Sequence, residues 1–331
     1  MEFYTVCSEK RPVRLCDGTR RFAYDSLNHK YGLDTKRTPC IVLDDEDGFE
    51  NMKPVDRYDI AIRKIAEEAP VRICENELIS GAATLGNAIG HVVPAVYKGE
   101  NIQYSVSHLT VDFRTVLKCG INGIKAKAAE SAIHQTEQSK IRFLQSCFSC
   151  IDSFELWHRR YLEELMRKPD YENNYKNLLK VPMQPAESFY EAVQSLWFTF
   201  AFIRLCGNWP GIGRLDYLLG EYLKNDLAAG ALTLSEAREI LAHFFIKGCE
   251  WICGGECGSG DAQHYQNIVL AGVDENGEEI TNEVTYLVLD IIEELGIGDF
   301  PTTVRVGKNT PPELLTRVAE VIRHGGGVIA I

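Results

Sequence analysis

Gln263–Asp290 reads QHYQNIVLAGVDENGEEITNEVTYLVLD, and this stretch decides the fold. Tyr265 to Val273 is rich in β-branched and apolar residues, as a buried strand is. Asp274-Glu-Asn-Gly277 is turn chemistry, because Asn and Gly tolerate the positive φ of a sharp reversal. Thr281 or Asn282 caps a following helix, with Glu283 in its first turn. Val284, Leu287, Val288, Ile291 and Leu295 then share one helical face, and Gly296 and Gly298 supply the stop. Pro301–Val306 reads as the next strand, Glu313–Arg323 as a helix opened by Pro311 and Pro312, and Val328–Ile331 as another strand. Short β-α-β-α-β connections of this kind predict parallel strands with right-handed crossovers.

The 331 residues are 45% hydrophobic and 25% charged, ordinary for a globular chain and enough for a large core. A formal net charge of -12 argues against nucleic acid as the main partner. The N-terminal MEFYTVCSEKRPVRLCDGTRR holds no apolar signal core, and no apolar run reaches bilayer length, so no membrane partner is expected. The eleven cysteines are scattered and odd in number; without a signal peptide they read as reduced thiols of a cytoplasmic protein.

Residues 1–55 are polar, broken by Pro12, Pro39 and Pro54, and read as an irregular arm. Tyr58–Glu68 reads as a short helix and Val71–Ser80 as extended chain. Thr110 is placed to cap a helix with Asp112 in its first turn and Gly120 at its end, and His108 lies just before that cap. Ile124–Leu165 is helical, broken once, with Phe143, Leu144, Cys147, Phe148, Ile151, Phe154, Leu156 and Leu162 as its apolar face. Pro169–Pro185 reads as a polar linker. Ser188–Cys206 is a helix with almost no polar side, which predicts complete burial. It delivers the loop Gly207-Asn-Trp-Pro-Gly-Ile-Gly-Arg-Leu-Asp216, which has neither the Gly-Lys-Ser/Thr ending nor the glycine spacing of a phosphate cradle. Tyr217–Asp226 and Ala237–Lys247 complete the helices. Cys249, Cys253 and Cys257 recur at a spacing that could hold iron–sulfur or zinc, with His264 the nearest fourth ligand, or could be ordinary thiols at a helix end.

Several short runs, taken in order, resemble the N-terminal part of glycyl radical enzymes, the pyruvate formate-lyase-like family. They are Glu77-Leu-Ile-Ser-Gly81, Ser107-His108 with Asp112, Gly120-Ile-Asn-Gly123, and Glu191-Ala-Val-Gln-Ser-Leu-Trp-Phe198. Gly213-Arg-Leu-Asp216, Phe244-Phe-Ile-Lys247, Gln266-Asn267, Thr281-Asn-Glu283, Arg305 and Gly325-Gly-Gly327 follow. The resemblance implies an α/β fold: part of a ten-stranded α/β barrel, with the arm over 1–55, a mainly helical region over 56–185 and a half-barrel core over 186–331. It implies radical cleavage of a C–C or C–X bond, either formate acetyltransferase-like or of a lyase or dehydratase branch. It also implies a small-molecule substrate, a homodimer for the full-length enzyme, and a separate radical SAM activase that installs the glycyl radical. No cofactor is expected to be bound by this chain.

Carried over residue by residue, His108 matches a pocket-lining base and Asp112 follows on its segment. Asn208, Trp209 and Arg214 belong to the loop that faces the substrate. Gly211-Ile-Gly-Arg214 lacks the serine of the dehydratases' Ser-Pro-Gly-Arg run, which argues against a glycerol-like diol. None of the cysteines matches the thiyl position, and no Arg-Val-Ser/Cys/Ala-Gly-Tyr loop occurs; Val304-Arg-Val-Gly307 is followed by Lys308. The expectation is therefore a fragment, inactive alone. The alternatives are a non-catalytic subunit that completes a barrel with a second chain, or a thiolate metal protein.

Overall fold

A computed structural model describes residues 9–28, 30, 40–82, 95–102, 110–207, 210–249, 267–297, 300–325 and 329–331. The expected irregular arm holds a helix, α1 (Asp17–Leu27), capped by Cys16, and a short strand, β1 (Ile41–Val42). Its amphipathic signal is short: Phe22 and Ala23 are buried and little else apolar is. Pro54 at the first helical position starts α2 (Pro54–Glu68) earlier than Tyr58, because its missing N–H costs nothing there. Strands β2 (Ala95–Tyr97) and β3 (Glu100–Asn101) form a hairpin, and β1 pairs in parallel with β2.

Helix α3 (Phe113–Ile133) changes direction at Gly120, whose φ of 65° and ψ of 170° are not helical. The N–H groups of Ile121 and Asn122 there donate to the carbonyls of Pro182 and Met183 at 2.9 and 3.1 Å. A Cβ on Gly120 would lie 2.5 Å from the Met183 carbonyl oxygen, so only glycine fits. The break between α3 and α4 (Gln138–Met166) is the single interruption expected. The buried face of α4 is Phe154, Trp157, His158, Tyr161 and Leu165, whereas Phe143 is 67% exposed. The expected stripe is thus shifted, because only the C-terminal half of α4 meets the aromatic core.

Residues 169–185 are not a linker. They include α5 (Glu172–Lys180), whose polar Asn174 and Asn177 are buried and bonded internally, so polar composition there does not mean solvent. Helix α6 (Phe189–Leu205), capped by Ser188, is buried along nearly its whole length. Trp197, Phe198 and Phe202 interlock with Trp157, Phe154 and Phe244.

The polar groups of α6 hold the extended segment 77–81. Gln194 accepts from the Ser80 N–H and donates to the Ser80 carbonyl, both at 2.8 Å. Trp197 Nε1 donates to the Gly81 carbonyl at 2.9 Å, and the Tyr190 hydroxyl donates to the Leu78 carbonyl. Behind it, the fully buried Lys247 Nζ lies 2.6 Å from Glu77 Oε2. His243 Nδ1 accepts the Leu78 N–H at 3.1 Å while Nε2 faces Thr19 Oγ1 at 3.0 Å. Buried backbone groups need partners, and here side chains supply what a neighbouring strand would.

The remainder is the predicted α/β unit. Strand β4 (Gly213–Arg214) replaces the expected loop and leads into α7 (Leu215–Ala228). Helix α8 (Leu234–Cys249), β5 (Ile268–Ala271), α9 (Glu283–Leu295), β6 (Thr302–Arg305), α10 (Pro312–Arg323) and β7 (Ile329–Ala330) follow. The sheet order is β4-β5-β6-β7, all parallel. Asn282 caps α9 in a reciprocal box with Thr285, and Gly296 ends it at φ 64°, as the sequence predicts. Arg14 and Arg20 from the N-terminal arm pair with Glu293 and Glu294 on α9. Arg11 donates to the carbonyls of Glu293 and His324 at 2.6 and 3.1 Å. No described helix is long and apolar enough to cross a membrane.

Candidate active-site face

The parallel sheet has two unlike faces. Ile268, Leu270, Thr302 and Val304 point to one side and are at most 1% exposed. Val269 and Thr303 alternate with them and are half-buried, and Arg305 is exposed. Cα register places Arg214 beside Val269, and Val269 beside Thr303, so Arg214, Thr303 and Arg305 share the open face. In parallel α/β sheets the carboxyl ends of the strands are where ligands gather. Arg214 and Arg305 stand at those ends of β4 and β6.

Both guanidinium groups lie beside Ala271–Gly272. Arg214 Nη2 donates to the Ala271 carbonyl at 3.3 Å, and its Cζ sits 5.1 Å from the Tyr217 ring centre. Its Nε is buried and has no hydrogen-bond partner among the described residues. A Cβ on Gly272 would lie 2.9 Å from Arg305 Cβ and 3.2 Å from its Nε, so the arginine passes only because this residue is glycine. Ala271 holds φ 58° and Gly272 φ 79°, and a non-glycine residue in the left-handed region is a conformation its surroundings must enforce.

Asp216 does the enforcing. Its carboxylate accepts from the Ala271 N–H at 2.7 Å, the Thr285 hydroxyl at 2.7 Å and the Tyr217 N–H at 2.9 Å. Burial raises its pKa, against the lowering by these bonds. Asn282 Nδ2 reaches the Asp216 carbonyl at 3.1 Å, which ties the α9 cap to the β4–α7 corner. With Asp216 committed to these donors, Arg214 turns to Ala271 and Tyr217. The Tyr217 hydroxyl donates to Glu275 at 3.0 Å, and Arg114 Cζ lies 5.5 Å from the same ring.

The segment ending in Asp112 meets this mouth. Thr110 forms a parallel bridge with Gly211. A Cβ on Gly213 would lie 2.8 Å from Thr110 Cγ2, so the glycines at 211 and 213 let the two segments touch. Asp112, not Thr110, caps α3, accepting from Thr115 N at 3.1 Å and from its hydroxyl at 2.6 Å. The Thr115 hydroxyl and then its N–H lower the Asp112 pKa. The expected base His108, the loop residues Asn208 and Trp209, and the thiols Cys253 and Cys257 with His264 lie outside the described residues. Cys249 is buried at the end of α8, its thiol donating to the Ile246 carbonyl at 3.1 Å. Among the described residues no group of three or more His, Cys, Asp or Glu could hold a metal ion.

Sequence reading did not single out Arg305 as a site residue. The signal was its parity: it stands two residues beyond Thr303, on the strand face opposite the buried Thr302 and Val304. A separate cleft of ≈ 980 Å³ lies between α2, α4 and the β2–β3 hairpin. There Arg142 pairs with Asp56 and Asp59, and Ser146 donates to Asp59 at 2.6 Å. The strand mouth offers the cations with donor capacity to spare.

Residues 94–331 match the family described as PFL-like, pyruvate formate lyase-like. Isethionate sulfite-lyase of Desulfovibrio desulfuricans is 29% identical over 241 residues, covering 65% of this chain and 29% of that protein. Trans-4-hydroxy-L-proline dehydratase of Clostridioides difficile is 26% identical over 202 residues, covering 56% of this chain and 26% of that protein. The glycerol-bound B12-independent glycerol dehydratase of Clostridium butyricum superposes with a TM-score of 0.75 at 20% identity, over 96% of this chain and 51% of that one. That likeness speaks to fold. The chain thus spans about half of this solved relative and under a third of the curated ones.

Proposed function

Because the chain belongs to the pyruvate formate lyase-like family, we propose that its residues build one half of the barrel of a glycyl radical enzyme of the lyase or dehydratase branch. The observation that carries this is the open face of the sheet, with a buried Arg214 Nε in search of an acceptor. The reaction is radical cleavage of a C–C or C–X bond in a small anionic substrate. Arg214 and Arg305 hold its carboxylate or sulfonate, since a guanidinium offers donors in a fork matched to such groups. Isethionate and (2S)-3-sulfopropanediol, named in two of the relatives, are sulfonates. The missing serine at Gly211-Ile-Gly213 further disfavours a neutral diol. The matched relatives include lyases, dehydratases and a decarboxylase, which favours the lyase or dehydratase branch.

In this reading Asp112 fixes the helix start that follows the base His108, and Asn208 and Trp209 wall the pocket. The thiyl cysteine and the radical glycine come from residues other than these 331, and a radical SAM activase installs the radical. Calorimetry with the purified chain tests the site without turnover. A hydroxyalkylsulfonate or hydroxy acid should bind better than glycerol. R214A should weaken it by about 10–150-fold, the value of a hydrogen bond to a charged group. Equal binding of glycerol and the anions, or no effect of R214A, refutes the anion-binding face. Turnover by this chain alone after activation refutes the half-barrel assignment.

A further inference from the structure

Helix α3 carries a thiol and an amine in contact. Lys127 Nζ lies 3.3 Å from Cys119 Sγ. Cys119 is half-buried and Lys127 exposed, so peroxide and solvent reach both. Eight residues of unbroken helix rise about 12 Å. The Gly120 break and the backward lean of a helical lysine side chain bring these groups together.

Six other described thiols differ. Cys74, Cys206 and Cys249 are buried. Burial, with the Asp59 charge adding, raises the thiol of Cys147 and pushes that of Cys150 up to about 11. The Cys16 thiol donates to the Glu239 carboxylate at 3.3 Å. Peroxide oxidises accessible thiols through their thiolate form.

We propose that Cys119 and Lys127 form a reversible sulfur–nitrogen cross-link driven by hydrogen peroxide. The Cys119 thiolate attacks one peroxide oxygen, giving a sulfenic acid and hydroxide; sulfur loses two electrons and peroxide gains them. Lys127 Nζ, having lost a proton to solvent, then attacks that sulfur. The S–O bond breaks, the N–S bond forms, and the departing hydroxyl takes a proton from nitrogen and leaves as water. The chain loses two hydrogens overall, and excess thiol reverses the bond. The link would fasten the two arms of α3 across Gly120, a break already held on its far side by the Pro182 and Met183 carbonyls.

The test is peroxide treatment of the 331-residue protein, followed by non-reducing tryptic mapping. A species joining Cys119-Gly-Ile-Asn-Gly-Ile-Lys125 to the Lys127 peptide is expected, lighter than their sum by two hydrogens and lost on adding dithiothreitol. K127M should abolish it and raise dimedone-trapped sulfenic acid at Cys119 several-fold. K127R, which keeps the cation but not the nucleophile, should also lack the link while leaving the thiol oxidisable. A free Cys119 thiol after treatment, oxidation straight to the sulfinic acid, or dimedone trapping equal in wild type and K127M overturns the proposal. Both variants alter an exposed residue, and circular dichroism checks that each is folded.

Discussion

Replacing Gln194 by leucine tests how the segment 77–81 is held. The side chains are similar in size, so packing changes little, but two buried backbone groups lose their partners. Gln194 gives the Ser80 N–H an acceptor and the Ser80 carbonyl a donor, both at 2.8 Å. Each orphaned group costs about 1–3 kcal/mol, and burying leucine in place of an amide returns part of that. The net loss should be about 2–4 kcal/mol. Amide exchange followed by mass spectrometry reads it locally: at about 1.4 kcal/mol per decade, peptides covering Ser80 should exchange roughly 30–1000-fold faster. Peptides from α10 should be unaffected, because sites far apart behave independently. Protection at Ser80 within threefold of wild type, with the variant folded, would refute the view that side chains of α6 stand in for a missing strand.

Gly120→Ala should destabilise by about 2–5 kcal/mol, combining a left-handed alanine with overlap on the Met183 carbonyl; urea unfolding measures this. His243 gives a pH signature. Burial first, then the charge of Lys247, lower its pKa from 6.5 to about 3, so the folded protein keeps it neutral while the unfolded chain protonates below 6.5. Stability linked to His243 is therefore complete above that value and is lost as pH falls toward 3, by about 2 kcal/mol between pH 7 and pH 5. His243→Gln should be weaker at neutral pH yet lose that much less on acidification; parallel pH profiles for the two proteins would contradict the assignment.

The α/β half of the fold is legible in the sequence because its signals are local. Asn282, Gly296, the Asp274–Gly277 turn and the apolar face from Val284 to Leu295 each declare themselves within a few residues. The helical half is less legible because its logic is long-range. Phe143 and Trp157 are both large apolar residues on one helix, and only the position of α6 decides which is buried. Asn174 and Asn177 look like linker residues until the carbonyls of Glu77 and Tyr190 are seen beside them. At the site, Arg214 stood out for its glycine-rich context. Arg305 did not, because its placement rests on which face of β6 remains open. Thr110 looks like a cap, but its neighbour across space, Gly211, claims it for a bridge and leaves the cap to Asp112.

The N-terminal arm has a consequence for synthesis on the ribosome. Arg11 bonds to the carbonyl of Glu293, 282 positions later in the chain. Arg14 and Arg20 wait similarly for Glu293 and Glu294. At about 5–20 residues per second, roughly 14–56 s pass between the synthesis of Arg11 and that of Glu293. The segment 11–20 thus docks only once α9 has been made. It acts as a latch that closes only after α9 has left the exit tunnel, which makes its docking a natural reporter of completed translation through that helix.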